Sequence, residues 1–309
     1  MGIAHWDDVD KRRRDRGQMA GTWSDLGSAA GSYRCGVTRI ELGPGEMPTP
    51  AHVHGEAEET FYVLAGSGLT WMDERAYEIR AGDCIVYRNF HEAHTLRGGD
   101  AGLDVLAFGA REYPPVGELP RAGVAWTVTG FVRVESEGHP WDFEPELEFP
   151  EPSPRPSTIV ATGDVEPKVY GGRRRRDLGR AAGSRWTGLK HVELDSGTLS
   201  APPHVHSMEE ELFVVLDGEG TLELTPSPEA AGEESEAHAV RRGSVVARPP
   251  GTEVAHAFRA GDAGLTLLAW GTRVPADLTY YPRSRKIYFG GLGVIGRIEA
   301  LDYWEGEEL

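Results

Sequence analysis

The feature that most constrains this chain is that it repeats itself. Residues 25–68 align with 177–220 at a constant offset of 152 and without a gap, sharing Asp-Leu-Gly at Asp25 and Asp177 and Ala-Gly-Ser at Ala30 and Ala182. Further on, residues 93–111 align with 255–273 at an offset of 162, with 12 of 19 positions identical. A unit of that size is a domain rather than a solenoid module, and each copy is long enough to enclose its own core. The offset grows by 162 − 152, ten residues, and the growth falls within 225–239. There Pro226, Pro228, Gly232 and a cluster of glutamates predict a solvated hairpin loop.

Within each copy the local signals are those of strands. The runs TFYVL (60–64) and LFVVL (212–216) are β-branched and aromatic, each stops shortly before a glycine, and 84–87 and 245–248 begin after Gly82 and Gly243. Forty Gly and 21 Pro with 39% hydrophobic residues suit many short strands joined by tight turns. No amphipathic stretch of helix length separates the strands, so a sandwich or barrel is expected, not a βαβ fold. The expected division is a leading segment 1–24, a first barrel 25–134, a Pro/Glu-rich linker 135–168, a second barrel 169–275 and a C-terminal extension 276–309. The linker reads as an extended surface connector. The extension, with Gly290, Gly291, Gly293 and Gly296 among aromatics, reads as packing over a barrel edge or a partner subunit, as do Trp126 and Phe131 after the first barrel. That glycine cluster lacks the Lys-Ser/Thr of a phosphate loop.

Charge and cysteine content narrow the function. Lys plus Arg is 32 and Asp plus Glu 49, giving −17, which opposes binding to nucleic acid or an anionic membrane. Two basic runs interrupt this acidity, one holding Lys11, Arg12, Arg13, Arg14 and Arg16, the other the four arginines 173–176. Solvated or internally ion-paired loops are the expected reading of both, an anionic partner or a subunit contact the alternative. Cys35 and Cys84 lack metal-finger spacing and read as small buried hydrophobes. Neither a signal-peptide pattern nor a run of 18 apolar residues is present, so a cytoplasmic protein is expected.

The chemistry lies where the copies match best. Copy one reads AHVHGEAEETFYVLAG and copy two PHVHSMEEELFVVLDG. Side chains alternate along a strand, so His52 and His54 project to one side, as do His204 and His206. The next strand brings Glu59 or Glu211 and a third brings His94 or His256, so three strands can converge four ligands in each barrel. Three imidazoles and a carboxylate form a donor set for one divalent transition ion per barrel, Fe, Mn, Ni, Cu, Co or Zn, not for Ca or Mg. Glu58 and Glu210 compete with Glu59 and Glu211, and strand parity favours the latter. His91 competes with His94, but the repeat pairs His94 with His256. His5, His139, His191 and His238 have no partners at ligand spacing.

These motifs resemble the cupin superfamily, whose first motif is H-x-H, three or four residues, Glu, six residues, Gly. His52, His54, Glu59 and Gly66 fit it, and so do His204, His206, Glu211 and Gly218. The second motif, Gly-Asp, then Pro-x-Gly, then His, is similar to Gly243, Pro249, Gly251 and His256 in copy two. Copy one keeps Gly82-Asp83 but has Arg88-Asn89-Phe90 where Pro-x-Gly belongs. The resemblance covers about 25–115 and 177–275. It implies an all-β bicupin, two tandem double-stranded β-helix (jelly-roll) barrels.

The function expected first is that of a metal-dependent oxidoreductase of the dioxygenase type, acting on a small oxygenated, chelating compound. Glu59 or Glu211 would then be able to take a proton as well as bind the ion. The alternatives are a non-redox lyase, decarboxylase or isomerase, and a non-catalytic small-molecule binding protein. No segment resembles the Ser-Glu-Asn-Ser lid of oxalate-decarboxylating bicupins, which counts against that one activity. Inward positions such as Phe61, Val63, Leu96, Phe213, Val215 and Phe258 imply a small apolar pocket. Arg39 and Lys190, taken as counterparts in the repeat, are candidates to meet an acid group, with solvent-facing strand positions as the blander reading. A monomer or a homodimer is compatible with a fused duplication.

Overall fold

The computed structural model describes residues 2–55, 58–88, 92–111, 115–127, 130–132, 138–228 and 234–307. Strands come in the order β1 (Gly2–His5), β2 (Arg12–Arg16), β3 (Met19–Asp25), β4 (Cys35–Leu42), β5 (Val53–His54), β6 (Glu59–Met72), β7 (Arg75–Arg80), β8 (Asp83–Tyr87) and β9 (His94–Ala110). After these lie β10 (Gly117–Leu119), β11 (Val124–Thr127), β12 (Gly130–Val132), β13 (Ile159–Ala161), β14 (Lys168–Tyr170), β15 (Arg173–Asp177), β16 (Thr187–Leu194) and β17 (Val205–His206). The second copy is completed by β18 (Glu211–Pro226), β19 (Glu236–Arg241), β20 (Ser244–Arg248), β21 (Val254–Thr272), β22 (Leu278–Tyr281), β23 (Lys286–Phe289) and β24 (Val294–Arg297).

The fold is all-β, two jelly-roll barrels in tandem. One eight-stranded sheet runs β13-β8-β6-β9-β4-β3-β2 with β7 on β6; the other runs β1-β20-β18-β21-β16-β15-β14 with β19 on β18. A four-stranded sheet closes each, β12-β11-β10-β5 in the first and β17-β22-β23-β24 in the second. The long strands β6 and β18 wrap because each carries two irregularities, at Val63/Ala65 and Gly66/Gly68, and at Val215/Asp217 and Gly218/Gly220. Gly66 and Gly218 have φ of +77° and +75°, and a Cβ on Gly66 would stand 2.2 Å from the Gly102 carbonyl oxygen. The glycine of the first motif is therefore required by the bend.

Alternation sorts each strand between two cores. Phe61, Val63 and Leu96 face the interior of the first barrel, and Phe213, Val215 and Phe258 that of the second. The opposite faces, with Val37, Leu106 and Phe108 from one copy and Leu189, Leu268 and Trp270 from the other, form a single core between the barrels. Phe108 and Trp270 are repeat equivalents and stack at 5.9 Å, so a pseudo-twofold axis runs through this core. Both cysteines are fully buried there, unpaired.

The barrels also exchange strands. β1 pairs with β20 of the second barrel, and β13 pairs with β8 of the first. The connecting segment is thereby tied down along barrel one. Within it, Arg155 grips the buried Asp83 at 2.9 and 2.7 Å, and Glu144 takes a hydrogen bond from Arg121. Most of the first basic run is answered internally: Lys11 meets Glu41, Arg13 is bidentate to Glu46, Arg16 is bidentate to Asp142, and Arg14 lies over the Trp23 ring. Strand register corrects one pairing of the sequence reading. Arg39 faces Leu106 and Lys190 faces Ala269, so the counterpart of Lys190 is Thr38 and that of Arg39 is His191. Among the described residues, no helix is long and apolar enough to cross a membrane.

Candidate metal centres

Three backbone features bring each set of side chains together. β5 and β17 are two-residue strands, held by β10 and β22 respectively, that end on the second histidine of H-x-H, while the first histidine stands just before them as an isolated bridge residue. The first and last histidines are direct cross-strand neighbours: His52 and His94 exchange backbone hydrogen bonds of 3.1 and 2.9 Å, and His204 and His256 bonds of 3.3 and 2.9 Å. Glu59 and Glu211 open β6 and β18, opposite Gly109 and Gly271. In the second barrel the Gly251 amide, at φ +67°, also donates to the His206 carbonyl, so the Pro-x-Gly turn braces the H-x-H strand.

The result is convergence on one carboxylate oxygen. Around Glu59 Oε2 lie His94 Nε2 at 2.9 Å, His54 Nε2 at 3.1 Å and His52 Nε2 at 3.6 Å. Around Glu211 Oε2 lie His256 Nε2 at 3.0 Å, His206 Nε2 at 3.4 Å and His204 Nε2 at 3.7 Å. Donor atoms about 2.1 Å from a shared ion stand roughly 3–3.5 Å apart. Among the described residues, nothing makes a well-aligned hydrogen bond to the buried Glu211 Oε2 or His256 Nε2 of the second barrel, close as the two atoms are, a costly arrangement that a cation between them would relieve. The residues fit a divalent transition ion in each barrel.

The rings are set from behind. His52 Nδ1 donates to the Pro50 carbonyl at 3.0 Å, His94 Nδ1 to the Glu92 carbonyl at 2.9 Å and His204 Nδ1 to the Pro202 carbonyl at 2.9 Å. A carbonyl only accepts, so each of these rings carries its proton on Nδ1 and presents the Nε2 lone pair to the centre. Burial, with the neighbouring His52, pushes His94 down to about 4; burial, with His204 and despite Glu211, pushes His256 down to about 3. Burial alone would raise Glu59 and Glu211, but the surrounding imidazoles hold both well below the ordinary carboxylate range. Neutral imidazoles and an ionised carboxylate are the forms that ligate.

The two centres differ in what surrounds them. Tyr87 stacks on His94 at 3.8 Å, and Trp126 lies 5.5 Å from His54 and 6.2 Å from His52. A cavity of about 220 Å³, lined in part by Trp23, Thr38 and Phe61, adjoins this first centre, and a mouth of about 290 Å³ lined by Trp126, Phe131 and Trp141 lies outside it. In the second barrel His206 Nδ1 faces Asp277 Oδ2 at 2.7 Å. Burial opposes the charge on both groups, yet Glu211 together with the Asp277 pairing lifts His206 to about 10, and the pairing holds Asp277 at about 2. Arg248 stands at the Tyr87 position, buried, donating to the Val254 carbonyl.

Every histidine and glutamate expected at the two centres is thus brought to them. Glu58 and Glu210, the competing acids, are used elsewhere. Each reaches across the inter-barrel core: Glu58 accepts from Ser184 Oγ and the amides of Arg185 and Trp186, and Glu210 from Ser32 Oγ and the amides of Tyr33, Arg34 and Cys35. His91 lies outside the described residues, as does part of the 225–239 loop, whose flanks β18 and β19 pair as a hairpin. His5, His139, His191 and His238 stand away from both centres. Sequence reasoning missed Asp277 and Tyr281, the latter stacked on His204 at 5.8 Å. Pro115 occupies the repeat-equivalent place of Asp277, so the duplication that exposed the ligands carried no signal for it.

A family model described as a cupin domain matches residues 38–102 and 190–271. The protein is a bicupin. Comparison with curated proteins finds no matching sequence. Among solved structures, the bicupin is similar to Lactobacillus farciminis oxalate decarboxylase in a formate complex, with a TM-score of 0.60, 14% identity, and coverage of 88% of this chain and 86% of that one. It is also similar to Bacillus subtilis oxalate decarboxylase, in a structure concerned with that enzyme's Mn(II) centres, with a TM-score of 0.58, 14% identity, and coverage of 87% and 76%. A variant of the Bacillus subtilis enzyme matches at a TM-score of 0.59 and 15% identity over the same shares. At such identities the likeness is one of fold.

Proposed function

We propose that this bicupin is a metal-dependent lyase, holding one divalent transition ion in each barrel and acting without net oxidation on a small oxygenated compound that chelates the ion. The observation that carries the reading is the convergence of three imidazole Nε2 atoms on one carboxylate oxygen, twice, within 3.7 Å. His52, His54, Glu59 and His94 would hold one ion, and His204, His206, Glu211 and His256 the other. Four protein donors leave room for a ligand on an ion that prefers five or six, and a bound ion supplies Lewis acidity to that ligand's oxygen. Around it the chain's own residues exclude water: Phe61 and Leu96 line the first pocket, and Phe213 and Phe258 pack within the second barrel. Glu59 and Glu211, far below their usual range, serve better as ligands than as proton acceptors.

The dioxygenase reading, first on sequence grounds, takes second place. The donor set suits either chemistry, but the solved structures compared above, which share this two-barrel arrangement, are of oxalate decarboxylases, which supports the non-redox alternative. The absent Ser-Glu-Asn-Ser lid argues for an acid other than oxalate as the natural substrate. A cytoplasmic setting, a small-molecule ligand rather than nucleic acid, and a homodimer are proposed with it. The test is metal analysis of the purified protein, then incubation of the Mn(II)-loaded chain with small hydroxy, oxo and dicarboxylic acids under nitrogen. Product formed at an equal rate with and without O₂ supports the lyase. Turnover that stops under nitrogen and consumes O₂ stoichiometrically would establish the dioxygenase instead.

A further inference from the structure

Matching the two barrels by strand register isolates where their walls differ chemically. Trp23 lies opposite Ile40, and Arg175 opposite Val192. Thr38 lies opposite Ala107, and Lys190 opposite Ala269. Tyr87 lies opposite Glu59, and Arg248 opposite Glu211. At three equivalent places, barrel one has Trp, Thr and Tyr where barrel two has Arg, Lys and Arg. All three positions lie on the strand face that turns to the barrel interior, with Arg175 at its exposed edge. Trp23 and Thr38 line the cavity at the first centre, and Tyr87 stacks on its ligand His94.

Lys190 shares its strand face with Val192 and Leu194 of the second barrel's core, is half-buried, and stands in the place that Thr38 takes beside the first centre. Arg175, directly across from Val192, is on the same face at the exposed edge. Its neighbours in the basic run are answered, Arg174 by Asp195 and Arg176 by Glu193. Among the described residues, neither Lys190 nor Arg175 has an ion-pair partner. The acids beside this centre are already engaged: Asp277 by His206 and the Met208 amide, Glu209 by the Val274 amide. Half-burying an ammonium beside a cation site, with no carboxylate to meet it, is unfavourable for folding alone. An anionic ligand would supply the missing charge. In a chain of net charge −17, it would also need local cations to approach at all.

We infer that the second barrel takes a small carboxylate, with Lys190 as its specificity-determining contact and the exposed Arg175 on the same strand face drawing it in, whereas the aromatic first barrel lacks this selectivity. The inference rests on the lyase reading above and names the substrate class for one of its two centres.

The experiment is calorimetric titration of the Mn(II)-loaded full chain with oxalate and with its uncharged isostere oxamide. The wild type is expected to bind one oxalate per chain tightly. K190T should weaken that binding about tenfold or more, the cost of a lost charged hydrogen bond. K190R should retain most of it, and oxamide should be indifferent to both changes. T38K, which places the lysine in barrel one, should create a second oxalate site and keeps the inference testable if K190T folds poorly. Oxalate binding unchanged within twofold in K190T, equal losses for oxamide, or two equivalent oxalate sites in the wild type would overturn it. The readout needs no turnover. Lys190-dependent binding without any converted acid would sink the lyase reading alone, and acid turnover indifferent to K190T would sink this inference alone.

Discussion

At the scale of single residues, the two metal centres are pseudo-equivalent in ligands but not in what stands behind them. His206 leans on a carboxylate, Asp277, while His52, His94 and His204 lean on peptide carbonyls. A carboxylate makes an imidazole more basic toward a metal than a carbonyl does. The variant D277A should therefore lower metal affinity at the second barrel about 10- to 100-fold while leaving the first near wild type. Competition of the Mn(II)-loaded protein with a chelator should change from one dissociation phase pattern to two well-separated ones. The ligands themselves were legible because H-x-H, Glu and His recur twice at fixed spacing. Asp277 was not, because it enters from a segment beyond the repeat and nothing in an isolated aspartate announces a histidine 71 residues away.

At the scale of elements, the adjacent residues Glu58-Glu59 and Glu210-Glu211 show alternation dividing labour within one strand entrance. The second of each pair faces the barrel interior and the metal centre; the first faces outward and accepts hydrogen bonds from the opposite copy. Sequence parity could separate the pairs but could not say what the outward glutamates do, since their donors lie 126 to 128 or 175 to 178 residues away. Truncating either leaves amides and a hydroxyl unsatisfied in a buried place, so E58A and E210A should each cost on the order of 2–4 kcal/mol. Urea unfolding read by tryptophan fluorescence measures this, and a cost below about 0.5 kcal/mol would mean that water replaces the carboxylate. The strands and their turns were readable from β-branched runs and glycines. The short β5 and β17 were readable only through their histidines, because a two-residue strand has no periodicity to detect.

At the scale of the whole molecule, the barrels are not two beads on a string. They share a core through Phe108 and Trp270, and each borrows an edge strand from the other's leading segment. The sequence made the duplication plain yet hid the exchange, since edge pairing depends on where the leading segments travel and not on their composition. Trp6, buried at 8% exposure between Arg39 and the inter-barrel core, fastens β1 to the far barrel. W6A should cost about 3–5 kcal/mol. Hydrogen exchange should quicken first in β20, the strand that β1 covers, whereas loss of protection confined to barrel one would contradict the pairing. The borrowed strand also orders events at the ribosome. His5 pairs with Ser244, 239 residues later, so at roughly 5–20 residues per second the leading strand waits about 12–50 s for its acceptor to be made. Through that interval the nascent first half carries both a loose apolar ribbon and an uncovered greasy face, and an N-terminal half released early would be the species most prone to pair with another like itself.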